Sequence, residues 1–352
     1  MEIAHVANLS EYAKLLQTLM TNQCIAYGVT GRDKVNLVTE KAWAQAGRPA
    51  NSLPRSAKHM KWSSQPGILM LDYDPPKDGH PLTQEELVAS LRAAYSGLQE
   101  VEMLWWSSTS SCIFEGDKEL SGIRGQRLYL MVKNAGDIPR LGKAINTYLW
   151  AMDVGEFTVS KSGSLLERGL FDGSVWQTNR IDFAAGAKCH DGLEQRRGVP
   201  LLIPGTVGVL DSLTAVPDPS PEVTATAEAN KAKAKEEKSE EAAKVRQVWV
   251  ASRSAALINA TPDMPKDHAE ATVKRAAEGH VLTGDWEVQV VNEGSVQAFK
   301  VSDILDNPNM FHGLETLDPL EPDYDGGRPV GMLFLHGSRQ YLHSFAHGGV
   351  TE

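Results

Sequence analysis

The stretch GILMLDYDPP, residues 67–76, closes an apolar run with two carboxylates one residue apart, Asp72 and Asp74. Side chains two apart on a strand share a face, so both acids point one way. Carboxylates so placed repel, and one keeps its proton unless a cation sits between them. Hard divalent ions such as Mg²⁺ take oxygen ligands, commonly one or two carboxylates completed by substrate phosphates. Phosphoryl-transfer sites commonly use two such ions about 3.5–4 Å apart. The pair has a plain alternative, in which one aspartate caps the turn before Pro75 and the other is solvated. Asp182, in RIDFAAGA, is a lone acid in a short apolar strand, which is costly unless it is paired. It is either a third ligand or the partner of Arg180 or another cation.

Between these acids, residues 108–132 (STSSCIFEGDKELSGIRGQRLYLMV) bring hydroxyls, glycines and cations together, among them Ser110, Gly125 and Arg127. Glycines allow close backbone approach, and hydroxyl, N–H and guanidinium groups bind phosphate oxygens. SKSG (160–163) and LLERGLFD (165–172) add Lys161, Arg168 and Asp172 beyond another strand end. For each of these a surface loop with solvated charges is the alternative. GDIPRLGKA (136–144) is not a P-loop: it has five spacer residues rather than four and ends in Ala144. His343 and His347, four apart, suit zinc only on a helix, and YLHSFAHGG reads as strand and turn.

The elements that must position these residues follow from local pattern. Residues 67–71 read as a buried strand, broken by Pro75, Pro76 and Gly79. Thr83 with Glu86 makes a capping box, and Gly97 is a C′ stop for the helix between. VEMLWW (101–106) is the next strand. RLYLMVKN (127–134), a helix over 137–152 capped by Asp137, and GEFTVS (155–160) repeat the order strand–helix–strand. Two such units predict a small sheet with helices on one face. After AVPDPSPEV, an Ala/Lys/Glu-rich stretch to about Leu257 reads as a linker growing into a solvated helix. A helix over 267–278, a hairpin over 286–301 turning at Asn292-Glu293-Gly294, and a second hairpin over 331–349 follow. The expected class is α+β, with domains over 1–210 and 259–352 joined by 211–258.

The 352 residues carry 45 Asp+Glu against 35 Lys+Arg, so a nucleic acid would need a local basic groove. Three scattered cysteines fit reduced thiols of a cytosolic protein rather than a disulfide framework. There is no CxxC or HExxH zinc pattern, no basic, apolar leader and no apolar run of membrane-spanning length.

In order, LMLDYD, GQRLYL and RIDF resemble the motifs of the archaeo-eukaryotic primase superfamily, in its primase-polymerase branch from phages, plasmids and integrated elements. STSS, DIPRLGK, SKSG, NRIDFAAGA and GLEQRRG look like that branch over roughly residues 50–200, and the text from LDPLEP to AHGG looks like the segment that precedes a helicase domain. The resemblance implies an RRM-like catalytic core that polymerises nucleotides on a single-stranded DNA template. It implies Asp72, Asp74 and Asp182 as catalytic ligands of two Mg²⁺ or Mn²⁺ ions. Arg127 stands where the superfamily usually has a histidine; with Ser110, Lys161 and Arg168 it would contact an NTP or dNTP. Arg55, Lys58, Lys61, Arg196 and Arg197 would line a template groove. A replicative helicase domain or protein is the implied partner, with no membrane, in the cytoplasm of a bacterial cell or phage-infected host. Two other classes use the same residues: a replication-initiation DNA-binding module with a vestigial site, and a metal-dependent nuclease.

Overall fold

The computed structural model describes residues 1–76, 80–260, 263–292, 294–346 and 350–351. The expected break at Gly79, the turn residue Glu293 and the second histidine, His347, lie outside the described residues. The protein is mixed α+β with several small sheets, and it divides into two compact units. The first comprises Met1–Gly155 and Arg168–Ala232; the second comprises Glu156–Glu167 and Lys233–Glu352. Among the described residues no helix is long and apolar enough to cross a membrane.

The elements that matter in the first unit are α1 (Leu9–Thr18), β1 (Ile25–Ala26), β2 (Gly67–Tyr73), α2 (Gln84–Ala94), β3 (Met103–Ser107), β4 (Gln126–Val132), α3 (Ile138–Ala151), β5 (Ile181–Asp182) and β6 (Leu201–Ile203). Four strands form a sheet in the order β6-β3-β4-β2. β4 runs antiparallel to both neighbours, so β2 and β3 are parallel with β4 inserted between them. This is a split βαβ unit. Every residue of β3 and β4 is buried, as central strands covered on both faces require.

Alternation sorts the strand residues onto two faces. Leu69, Leu71, Trp105, Leu128 and Leu130 meet Leu87 and Leu91 of α2 and Leu141 and Ile145 of α3. Ile68, Met70, Leu104, Trp106, Tyr129 and Met131 meet Leu9, Tyr12 and Leu16 of α1. Helices therefore cover both faces, not the one face that the βαβ pattern predicted. The second predicted βαβ unit also does not close. The strand Gly155–Val159 leaves the sheet and pairs with Leu165–Gly169, and β6, antiparallel to β3, is the fourth strand. Pairing between distant strands is set by tertiary contacts that local patterning does not contain.

The α2 capping box is present: Thr83 N–H donates to Glu86 Oε2 at 2.8 Å and Glu86 N–H to Thr83 Oγ1 at 3.2 Å. The helix ends at Ala94 rather than at Gly97, because Tyr95 is extended. Gly97 instead lets the chain pass Ala215, whose carbonyl oxygen would lie 1.9 Å from a Cβ there. Asp137 stands at the N-cap of α3, but its side chain makes no cap; it accepts from Arg140 at 2.6 and 2.7 Å and from Ser212 Oγ at 2.5 Å. The GDIPRLGKA glycine, Gly142, sits inside α3, where the Trp176 ring packs against it.

In the second unit, α5 (Ser239–Ala260) follows α4 (Pro221–Glu237), a helix that begins in the first unit, and precedes α6 (Lys266–Gly279). Six antiparallel strands follow: β7 (Glu287–Asn292), β8 (Ser295–Lys300), β9 (Glu315–Thr316), β10 (Gly331–Phe334), β11 (Tyr341–Ser344) and β12 (Val350–Thr351), in the order β8-β7-β9-β10-β11-β12. Val250, Val273, Val288, Val290, Leu333 and Leu342 make this unit's own core.

Candidate active site

The register of the first sheet assembles the acids. β2 and β4 pair so that Asp72 lies opposite Arg127, and β4 and β3 so that Arg127 lies opposite Trp106. Just past the ends of these strands, Asp74, Gly125 and Ser108 lie side by side. Ser108 N–H donates to the Gly125 carbonyl at 2.8 Å. A Cβ on Gly125 would lie 3.2 Å from Asp74 Oδ1 and 3.1 Å from Ser108 Cβ, so the glycine leaves a hollow that any side chain would begin to fill. Ser110 joins this row through Ser108, their hydroxyls 3.1 Å apart.

Asp182 arrives from a different element. β5 pairs with β1, setting Asp182 opposite Ile25, and the carboxylate is 1% exposed. Tyr27, just past β1, donates to Asp182 Oδ2 at 2.6 Å, and Tyr129 donates to the same oxygen at 2.9 Å. Tyr12 of α1 supports both, with its hydroxyl 2.7 Å from that of Tyr27 and its ring edge-on to Tyr129. Burial, and then the Asp182 charge, push Tyr27 and Tyr129 well above the usual phenol range, so both remain donors.

Arg127 bridges the half-buried Asp72 and the buried Asp182. Its Nε donates to Asp72 Oδ1 at 3.2 Å, and its Nη1 lies 2.9 Å from Asp182 Oδ1. The second contact is an ion pair without hydrogen-bond alignment: Nη1 donates to the Phe183 carbonyl at 3.1 Å, and Asp182 Oδ1 accepts no hydrogen bond. Burial disfavours the Arg127 charge, but Tyr129, Asp182 and Asp72 outweigh it and keep the guanidinium protonated. Asp72 is pushed up to about 6, by burial first; Asp74, Asp182 and Asp172 add to this against the pull of Arg127. Asp172 is tied in by its backbone N–H, which donates to the Asp72 carbonyl at 2.9 Å, while its carboxylate holds Ser174.

Among the described residues no three His, Cys, Asp or Glu side chains form a ready metal cage. The donor set nonetheless suits a hard divalent cation. Its members are carboxylate oxygens, one buried oxygen has no hydrogen bond, and Gly125 keeps the floor beside Asp74 open. In this arrangement the single charge of the Arg127 guanidinium offsets part of the charge of Asp72 and Asp182.

The other cations predicted from the sequence scatter. Arg197 stays near the acids, donating to the carbonyls of Ser107 and Ala184 and lying 4.3 Å over the Trp106 ring. Burial lowers it to about 10. With Arg196, Trp106, Gln195, Leu16 and Leu19 it lines a cavity of about 400 Å³. Arg196 is turned to Glu194 and to the Gly116 carbonyl. Arg55 donates to the carbonyl of Asn179, three residues before Asp182; Lys58 is exposed, and Lys61 donates to the Ala57 carbonyl. Arg168 is exposed and makes no ion pair with the acids, and Lys161 belongs to the second unit, paired with Asp323.

The tyrosines were not singled out from the sequence, whereas Ser108 lies in the hydroxyl-bearing stretch 108–132 and Asp172 was named only beside Lys161 and Arg168. Tyr129 carried a usable signal, two residues past Arg127 on one strand face; Tyr27 carried none, being 155 residues from Asp182. Comparison with protein-family models, with curated proteins and with solved structures finds no match, so the reading of this site rests on its residues and their geometry.

Proposed function

We propose that this chain is a metal-dependent nucleotidyltransferase, a DNA-dependent primase-polymerase of a phage or mobile element. The observation that carries this reading is that Asp72 and Asp182, from two separate strand pairs, meet at Arg127, with Asp74 near enough to Asp72 to raise its pKa. The succession β2–α2–β3–β4–α3–β6 supports an RRM-like primase core. One departure is that the last strand lies beside β3, where that fold sets it against the first strand.

Asp72, Asp74 and Asp182 would hold Mg²⁺ or Mn²⁺, two ions in all. Such ions, when bound, stabilise the attacking and leaving oxygens of an in-line displacement. The chain's own residues do the rest. Tyr27 and Tyr129 hold Asp182 Oδ2, so that Oδ1 is the oxygen offered to a cation. Arg127 offsets part of the acids' charge when no substrate is present; turned outward, its planar fork of donors matches a triphosphate. Ser108 and Ser110, beside Asp74, offer hydroxyls to the same phosphates, and the cavity beside Trp106 is of a size to take a nucleoside.

The test is incorporation of labelled NTPs and dNTPs on a single-stranded DNA template with Mg²⁺ or Mn²⁺. Template-dependent product is expected from the native chain and none from an Asp72→Ala/Asp74→Ala variant; normal product from the variant would sink the assignment. One observation favours a second reading, a replication-initiation module with a vestigial site. Arg127 takes the central position between Asp72 and Asp182 that a metal ion would use. On that reading triphosphate binding is weak and indifferent to Mn²⁺, and one duplex sequence binds best.

A further inference from the structure

The sheet of the second unit carries a row of rings on the face turned away from its core. Leu333, Leu335 and Leu342 point inward. Alternation sends Met332, Phe334, Tyr341 and His343 to the other face. Phe334 and Tyr341 lie directly across the strands from each other and stack, 5.0 Å apart at 19°. Phe345 extends the row beyond His343, the two rings 4.7 Å apart and edge to face. At the other end His312 stacks on His336 at 3.9 Å and meets Phe334 edge-on at 6.5 Å. Burial does not account for the row, since Phe345 is 62% exposed.

Charge identifies the occupant. From Gly327 to Ala346 the chain holds Arg328, Arg339, His336 and His343 and no Asp or Glu, in a protein of net charge −10. Arg328 is paired with Asp325; Arg339 is exposed and joins no ion pair among the described residues. Half-buried rings running out to the exposed Phe345, with an exposed arginine in the hairpin's turn and a single acid, Glu315, paired opposite Met332 on the row's face, match unpaired nucleobases and their phosphates. A duplex hides its base faces and cannot use such a row.

We propose that the β10–β11 face binds single-stranded nucleic acid, with bases stacking on Tyr341, His343 and Phe345 and a phosphate held by Arg339. This site is separate from the carboxylates and does not depend on their activity.

The experiment uses the full chain and a labelled bromodeoxyuridine oligonucleotide, followed by anisotropy, photo-crosslinking and peptide mapping. Adducts are expected on Tyr341, His343 or Phe345. Phe345→Ala/Arg339→Ala, both exposed positions, should abolish those adducts and weaken binding about tenfold, the scale of one lost stacking contact. An unlabelled single strand should compete and a duplex should not. Adducts that fall only in the first unit, unchanged affinity in the variant, or equal competition by duplex would each overturn the proposal. Crosslinking at Tyr341–Phe345 without nucleotide incorporation would sink the polymerase reading alone; incorporation without that crosslinking would sink this one alone.

Discussion

At Asp72 two demands conflict. On the proposed reading the side chain must be ionised to hold a cation, yet it lies on a buried strand with Asp74, Asp172 and Asp182 nearby, and its pKa is pushed up to about 6. A free aspartate titrates near 4, so the folded protein binds this proton more tightly than the unfolded chain does. Stability therefore falls as pH rises from about 4 through 6, and the full cost, on the order of 1–3 kcal/mol, stands above that range. Asp72→Asn removes the charge and keeps a hydrogen-bond acceptor for Arg127. In the absence of divalent metal it should be more stable than the native chain at pH 7.5 by about 1–3 kcal/mol, with the difference vanishing toward pH 4. Urea unfolding at both pH values measures this; a variant less stable at pH 7.5 contradicts the account. Arg127 is the counterweight. Removing it would strand the buried Asp182 and the half-buried Asp72 without their cation, and the loss of a buried partner is typically worth about 3–5 kcal/mol.

The strands set the spacing that those residues use. The row Asp74–Gly125–Ser108 works because its middle member has no side chain. In Gly125→Ala the new methyl meets Asp74 Oδ1 and Ser108 at 3.1–3.3 Å, so the flexible Asp74 side chain yields. Overpacking of this kind costs about 1–3 kcal/mol, while displacing a ligand costs rate steeply. Nucleotide incorporation should fall at least about tenfold with the fold intact by circular dichroism; undiminished incorporation would remove Gly125 from the site. Much at this scale was legible in the chain. The β2–α2–β3 run announces itself through an apolar run, a capping box and a second apolar run, all local signals, and the Asp72–Asp74 spacing follows from the two-residue period of a strand. What was illegible depends on distant pairing. Gly155–Val159 has the composition of a returning strand, but it closes a local hairpin with Leu165–Gly169, and the place beside β3 goes to β6, far along the chain. The tyrosines around Asp182 come from α1, the segment after β1, and β4, and no local pattern ties them together. Lys161 looked like a phosphate ligand by its SKSG loop, yet its partner, Asp323, is 162 residues away in the second unit.

Each unit has its own core and its own candidate ligand, a cation in the first and a single strand in the second. A ligand that binds only the folded state stabilises it by mass action, about 2.7 kcal/mol at a hundredfold excess over its dissociation constant. Hydrogen exchange shows where that stabilisation falls. Mn²⁺ should slow exchange of the amides over residues 70–74, 126–129 and 181–183, which carry the acids and Arg127, and leave residues 331–345 unchanged. A short oligonucleotide should slow exchange over 331–345, whether or not Mn²⁺ is present. The Asp72→Ala/Asp74→Ala variant should lose the first effect and keep the second. Slowing by Mn²⁺ confined to 331–345 would move the cation site to the histidine-bearing sheet. Slowing spread evenly over both units would mean that they respond as one body, and the assignment of separate ligands to separate cores would fail.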